Sequence, residues 1–182
     1  MSDAPQPWLT PLYRVRPGGC GRVCQVPGED VPEPFRRLLV HEGDMTSRLE
    51  AFHEDSIQLE VLRVAEMDEQ ILEREVLLRR QRDGRVVEYG AIEIHVDIFS
   101  EGLRALITQG KLPLGGLLNH NGVSYFSEPS AFFSVVPSPV LCGLLNSRED
   151  ALLYGRANVL RRSDGALIAR IVEILPSCAG EC

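Results

Sequence analysis

The chain lacks a long apolar segment, and its first residues lack the features of a secretion signal. No apolar run approaches the roughly 20 residues that a membrane-spanning helix requires. The N-terminal sequence MSDAPQPWLTPLYRV has neither the basic beginning nor the apolar stretch that signal peptides contain. We therefore expect a cytoplasmic protein that does not associate with membranes.

Positive charge is also scarce. The 19 Lys and Arg residues are outnumbered by 26 Asp and Glu residues, which gives a net charge of −7. This balance argues against a broad basic surface for nucleic acid or anionic lipid. The sequence also contains no glycine-rich phosphate loop, nucleophile elbow or dinucleotide-binding fingerprint. An anionic ligand would therefore have to be bound by individual arginines.

Cysteine is present, but not in a pattern typical of a known metal site. Cys20 and Cys24 form one C-x3-C pair, Cys178 and Cys182 form another, and Cys142 stands alone. The two pairs could hold a metal or form disulfides if the chain ends met. The spacing differs from that of a zinc ribbon, however, and no histidine accompanies either pair. In a reducing cytosol the pattern favours free thiols and no metal.

What the chain does contain is typical of a globular domain. Its 182 residues are 44% hydrophobic and 25% charged, enough to build a substantial core. The first 32 residues are rich in Pro, Gly and Cys without periodicity, and they predict an irregular arm. We expect one folded domain over residues 33–176 and a short tail over residues 177–182.

The periodicity of residues 33–176 predicts both strands and helices. Alternation of apolar and polar residues predicts strands in SIQLEVLRV, ILEREVLLRR and GRVVEYGAIEIHVDIF, and a hairpin in LLYGRANVLRRSDGALIARIVEILP. Helices are predicted in DMTSRLEAFH, SEGLRALITQGK and PLGGLLNHNG. Long hairpin-linked strands with inserted helices indicate the α+β class, with a mostly antiparallel sheet and helices gathered mainly on one face.

Two charged residues occupy strand faces that are otherwise aliphatic. Arg74 shares a face with Leu72, Val76 and Leu78, and Glu173 shares one with Leu and Ile residues. Burying an unpaired charge is costly, so each side chain needs a partner. Arg74 and Glu173 could bond each other directly. Alternatively, they could form two walls of a pocket in which the arginine binds a ligand carboxylate.

Backbone amides at two predicted helix starts could add to such a site. A helix beginning at Pro113 leaves the amides of Leu114 and Gly115 without intrahelical partners, at the positive end of the helix dipole. Met45 lies near the start of another predicted helix. Amides in this position favour binding of a carboxylate or phosphate.

The remaining charged candidates are open to more than one interpretation. Arg156 could be a pocket cation or a surface arginine, and Arg63 is a weaker candidate for anion binding. Glu93, His95 and Asp97 share one strand face and could be metal ligands. A solvated polar face is the favoured interpretation, because the opposite face of that strand is aliphatic.

The segments DMTSRLEAF, ILEREVLL, GKLPLGGLL and LYGRANVLRRSDGALIARIVEILP resemble, in order and approximate spacing, the chorismate pyruvate-lyase (chorismate lyase-like) family. The resemblance covers residues 35–176 and rests on short motifs. It implies a mostly antiparallel sheet of about six strands, with helical flaps closing over an internal ligand. By this resemblance Arg74 would bind the ring carboxylate, Leu114 and Met45 would contact the ligand through their backbone, and Glu173 would lie at the ring hydroxyl.

The resemblance also implies an activity. Family members eliminate pyruvate from chorismate to leave 4-hydroxybenzoate, without a metal or organic cofactor, and Glu173 would be the general acid. The sequence therefore predicts a lyase whose partner is a small carboxylate, chorismate or a 4-hydroxybenzoate-like molecule. It does not fix an oligomeric state.

Two alternatives stay open beside the lyase. One is a non-catalytic module that binds a small aromatic carboxylate, because related folds serve as effector-binding domains of transcription regulators. A 32-residue arm is short and irregular for a DNA-binding domain, which favours the enzyme. The other alternative is an enzyme of the same fold that acts on a different carboxylated substrate.

Overall fold

A seven-stranded antiparallel sheet forms the centre of the computed structural model, which describes residues 6–66 and 70–177. The spatial order of the strands is β1-β5-β6-β7-β4-β3-β2. The α+β class with an antiparallel sheet is thus confirmed. The strands are β1 (Gly21–Val26), β2 (Ile57–Glu66), β3 (Ile71–Arg80), β4 (Val86–His95), β5 (Tyr125–Pro137), β6 (Leu153–Arg162) and β7 (Leu167–Leu175).

The helices within the described residues are short, and their ends follow local sequence signals. Ser100 caps one helix by accepting a hydrogen bond from the Leu103 amide, and Gly110 ends it in a left-handed conformation. Every described helix is too short or too polar to pass through a lipid bilayer. The helices are α1 (Thr10–Val15), α2 (Phe35–Leu39), α3 (Met45–His53), α4 (Glu101–Gln109), α5 (Leu114–His120) and α6 (Pro139–Leu145).

Both faces of the sheet are covered. Helices α2 to α5 lie on the face that carries Arg74 and Glu173, where they bury two apolar clusters. Helices α1 and α6 pack on the other face, where Leu12 and Leu141 contact a cluster that includes Tyr89 and Ile174. The expected face with most of the helices is therefore present, and two more helices bury the face opposite it.

The prediction of an irregular arm over residues 1–32 is wrong for the part that the structure describes. This segment contains α1 and also β1, which pairs with β5 at the edge of the sheet. Gly21 begins β1 with φ +128°, and a Cβ there would lie 2.1 Å from the carbonyl oxygen of Val136. Only glycine can occupy such a position without strain, so the glycine that suggested a loop in fact permits the strand pairing.

The cysteines within the described residues are separate free thiols. Cys20 and Cys142 are buried, and Cys24 is exposed. Cys178 and Cys182 fall outside the described residues, as does most of the predicted tail. In residues 6–66 and 70–177, no group of three or more His, Cys, Asp or Glu side chains is placed to hold a metal ion.

The prediction that Glu93 lies on a solvated face is also wrong. Glu93 is buried, and its carboxylate accepts hydrogen bonds from Arg14 of α1 at 2.8 Å and from Arg170 at 2.5 Å. Arg14 also bonds the buried Glu73 at 2.8 Å, and His95 lies 3.1 Å from Glu93. The strand pattern did not reveal this burial because the covering helix comes from the segment without periodicity.

Candidate functional site

A small cavity lies between the sheet and the beginnings of α3 and α5. Its volume of about 70 Å³ equals that of about two water molecules in the liquid, so a ligand with a single ring requires the walls to move apart. Apolar side chains form most of its wall, and polar side chains from four strands interrupt it. These buried polar residues are Arg74 on β3, Glu88 on β4, Asn158 on β6 and Glu173 on β7.

Arg74 brings an unpaired positive charge to this cavity. The residue is 2% exposed; its Nη1 donates to the carbonyl oxygen of Ile107 at 3.0 Å, and its Nε has no partner among the described residues. No described carboxylate lies within ion-pairing distance of the guanidinium. Burial lowers the pKa of Arg74 to about 10, so the group is still charged near neutral pH. An anionic ligand would provide the missing counter-charge.

Glu173, by contrast, already has a cationic partner. Its carboxylate accepts a hydrogen bond from Nε of Arg156, a side chain that is fully buried. The other nitrogens of Arg156 donate to the carbonyl oxygens of Leu39 (3.3 Å), His41 (3.0 Å) and Gly43 (3.1 Å). Arg156 therefore holds the loop between α2 and α3 against the sheet, behind the cavity wall.

Arg74 and Glu173 are thus brought to the same cavity, but they do not bond each other. Of the two arrangements considered from the sequence, the geometry is that of two walls with a space between them. The two walls differ in whether their charge is paired. Arg74 has no ionic partner among the described residues, whereas Glu173 is paired with Arg156.

Of the other residues predicted from the sequence, three line the cavity and Arg63 does not. Met45, Leu114 and Gly115 line the cavity at the starts of α3 and α5. A Cβ on Gly115 would lie 2.8 Å from Cβ of Asp44, so glycine permits the two helix starts to touch. Arg63 lies outside the cavity lining and donates to the carbonyl oxygen of the last residue of α1 at 2.9 Å.

Glu88 is a cavity residue that sequence reasoning missed. Its side chain is 4% exposed, and its Oε2 has no partner within the described structure. Burial raises the pKa of Glu88 well above its ordinary range, and the negative charge of Glu173 raises it further. The signal was available, because Glu88 shares a strand face with Ile92 and Ile94 as Arg74 does with its aliphatic neighbours.

Asn158 is the second residue that was missed. Its Nδ2 donates to Oγ of Ser127 at 2.9 Å, and that hydroxyl donates to the carbonyl oxygen of Gly43 at 3.0 Å. The remaining amide atom, Oδ1, is buried and has no partner in the part of the chain described. Alternation along GRANVL places Asn158 on the same face as Arg156 and Leu160, which could have identified it.

Replacement of Glu88 by Gln is expected to stabilise the protein at high pH. Because the native state raises the pKa of this carboxyl, native stability falls as the pH rises above the ordinary carboxyl value near 4.5. Gln cannot ionise, so the Glu88→Gln variant escapes this loss. Thermal melting at pH 5 and pH 8 should show a larger gain in Tm at pH 8. An equal gain at both values would contradict a raised pKa.

Comparisons with known proteins identify the fold but match no sequence family. No protein-family model and no curated protein matches the chain. The effector domain of PhnF from Mycobacterium smegmatis is similar in structure, with a TM-score of 0.58 and 15% identity over 74% of this chain and 88% of that chain. YydK from Bacillus subtilis, described as a possible transcriptional regulator, has a TM-score of 0.55 and 10% identity over 73% of this chain.

This chain spans less than two thirds of the first longer structure that it resembles. It covers 64% of the whole PhnF chain, with a TM-score of 0.56 and 15% identity. For YydK the covered share is 61%. The similarity therefore concerns one domain of those proteins.

These comparisons correct the expectation of an enzyme. The solved structures named above are described as an effector domain and as a possible transcriptional regulator, which contradicts the expectation of a chorismate lyase-like enzyme. The fold that the resemblance implied is present, but the activity does not follow from it. In the structure, the carboxylate expected to act as general acid bonds Arg156.

Proposed function

We propose that this chain is a non-catalytic ligand-binding domain whose ligand is a small carboxylate held in the cavity. The observation that carries the proposal is Arg74, a buried guanidinium that faces the cavity without a carboxylate partner in the described structure. A buried charge of this kind is costly unless it is paired. A ligand carboxylate supplies the pairing, through hydrogen bonds that are strengthened by charge.

The shape and lining of the cavity support a compact, partly apolar ligand. Val76, Leu78, Ile92 and Ile171 contribute aliphatic surface around the polar groups. Ligand sites commonly combine such walls with a few placed polar groups that fix orientation. A single-ring acid of the benzoate type matches the chemistry of both the walls and the guanidinium, and the helix starts over the cavity would move outward to admit it.

A sensing role is proposed from the fold and from the state of the polar groups. The chain is similar over most of its length to a domain described as an effector domain. In such a role, ligand binding biases a conformational equilibrium, which requires differential affinity and no chemical step. The pairing of Glu173 with Arg156 is compatible with this role, because the ion pair fixes this part of the cavity wall and no chemical step is required of it.

Titration calorimetry with the full chain tests the proposal. Benzoate is expected to bind at least about tenfold more tightly than benzamide, which has the same ring and no charge, because hydrogen bonds to charged groups contribute roughly 1.5–3 kcal/mol. Sodium chloride at matched ionic strength controls for non-specific anion effects. Equal affinities for benzoate and benzamide, or no binding of either, would contradict the proposal.

A further inference from the structure

We infer that Oδ1 of Asn158 accepts a hydrogen bond from an uncharged group of the ligand. The ligand is then a monoanion with a hydroxyl or amino group at the end remote from its carboxylate. This inference rests on the proposed function, because it assumes that Arg74 binds the carboxylate. It adds a specificity-determining residue and narrows the class of ligand.

The first support is the unsatisfied oxygen of Asn158. The side chain is 2% exposed, it lines the cavity, and its Oδ1 has no partner among the described residues. Buried polar atoms in folded proteins nearly always have a hydrogen-bond partner, so one that lacks a partner and faces a cavity marks a place for a ligand atom.

The second support is that neighbouring bonds fix which end of the amide faces the cavity. The hydroxyl of Ser127 uses its only proton on the carbonyl oxygen of Gly43. It can therefore only accept from Asn158, and the atom that donates to it must be Nδ2. Oδ1 is left for the cavity, and because an amide oxygen only accepts, the matching ligand atom must donate.

The third support is the alignment of Asn158 with Arg74 across the sheet. Arg74 pairs with Ile92, Ile92 with Ile171, and Ile171 with Asn158, so the four residues form one row across β3, β4, β7 and β6. Three strand spacings separate the ends of this row, which places the two Cα atoms about 14 Å apart. Two aliphatic side chains lie between a cation and an acceptor, an arrangement that suits a ring with polar groups at opposite ends.

A second negative charge on the ligand is disfavoured. Arg156, the other buried arginine beside the cavity, already bonds Glu173 and backbone carbonyls. Its charge is therefore not free for a second anion, and the carboxylate of Glu173 also lines the cavity. Among the described residues that line the cavity, Arg74 alone is a cation, so the ligand group opposite it is neutral.

Calorimetric titration with a set of para-substituted benzoates tests the inference. In the unmodified chain, 4-hydroxybenzoate and 4-aminobenzoate, which have a donor, are expected to bind about tenfold or more tightly than benzoate. 4-Methoxybenzoate has no donor and terephthalate has a second charge, so both should bind no better than benzoate. In the Asn158→Leu variant the ratio of affinities for 4-hydroxybenzoate and benzoate should fall to about one.

A second variant keeps the test independent of how well Asn158→Leu folds. Ser127→Ala removes the hydroxyl that fixes the amide, so the amide can turn Nδ2 toward the cavity. The preference for 4-hydroxybenzoate over 4-methoxybenzoate should then weaken. Asn121→Leu is the matched control, because Asn121 bonds the carbonyl of Leu117 outside the cavity and its loss should leave all ratios unchanged.

The outcomes separate the inference from the proposed function. Tight binding of benzoate with no preference for donor-bearing analogues would overturn the inference and leave the proposed function standing. Failure of every benzoate to bind would overturn the proposed function. If both Asn158→Leu and Ser127→Ala still bound the donor-bearing analogues more tightly than benzoate, the inference would also be overturned. Another group would then accept the hydrogen bond from the ligand.

Discussion

Replacement of Arg74 by Met is expected to remove carboxylate binding without weakening the unliganded fold. Met has a similar length and no charge, so it can fill the space of the arginine stem in an apolar wall. The only described hydrogen bond that is lost is the one to the carbonyl of Ile107. Affinity for benzoate should fall by about ten- to 150-fold, as expected for roughly 1.5–3 kcal/mol of charged hydrogen bonding.

The stability of the same variant should move in the opposite direction. The buried guanidinium has a desolvated Nε without a partner, and an unsatisfied buried group costs roughly 1–3 kcal/mol. Urea denaturation at pH 7 should therefore give a free energy of unfolding for Arg74→Met that is equal to or higher than that of the unmodified chain. Binding sites often show this opposition between function and stability.

Arg63 offers the matched control for this prediction. It lies on the neighbouring strand outside the cavity and bonds a backbone carbonyl of α1. Arg63→Met should keep the affinity for benzoate. If Arg74→Met bound benzoate normally and unfolded more easily, Arg74 would be a structural residue rather than a ligand-binding one.

The charged residues on the cavity face show what strand alternation can predict and what it cannot. Arg74 and Glu173 were identified from alternation alone, because the side chains of a strand face follow from neighbouring residues. Their partners were not, because pairing depends on the register of neighbouring strands and on loops that lie far apart in sequence. The contact of Arg156 with Glu173 requires β6 to lie against β7, and its remaining bonds require the loop after α2.

The same rule explains the errors on the opposite face. Glu93 alternates with aliphatic residues, a pattern typical of a strand with one solvated face. It is buried because Arg14, more than 70 residues earlier in the sequence, lies against it. Strand β1 was missed for a related reason: its pairing with β5 joins residues about 110 apart in sequence, such as Cys24 and Ser134.

The fold was predicted correctly from the sequence, but the activity was not. The short motifs that resemble chorismate lyases predicted the sheet and the helices around a cavity, because they reflect packing. Activity depends on the state of single groups inside that cavity. Asn158 lies within one of these motifs and Glu88 lies outside them, and in neither case did the motifs reveal that the side chain has a buried atom without a partner among the described residues.

Replacement of Arg156 by Met, behind the cavity wall, is expected to destabilise the protein strongly. The variant leaves the carboxylate of Glu173 buried without its cation and frees the carbonyls of Leu39, His41 and Gly43. Loss of one partner of a buried ion pair typically costs about 3–5 kcal/mol. Urea or thermal denaturation should show a loss of this size. As a control, Arg148→Met breaks the exposed pair with Asp150 and should cost less than about 1 kcal/mol.

A double substitution separates the ion pair from the loop contacts. Adding Glu173→Gln to Arg156→Met removes the unpaired charge, so part of the lost stability should return although another residue has been changed. The free energy of unfolding that is not recovered measures the bonds to the loop between α2 and α3, since Gln at position 173 cannot replace them. If the double variant were as unstable as the sum of the two single ones, the two side chains would not be coupled. The assignment of Glu173 as a structural partner of Arg156 would then fail, and its carboxylate would again be available to a ligand in the cavity.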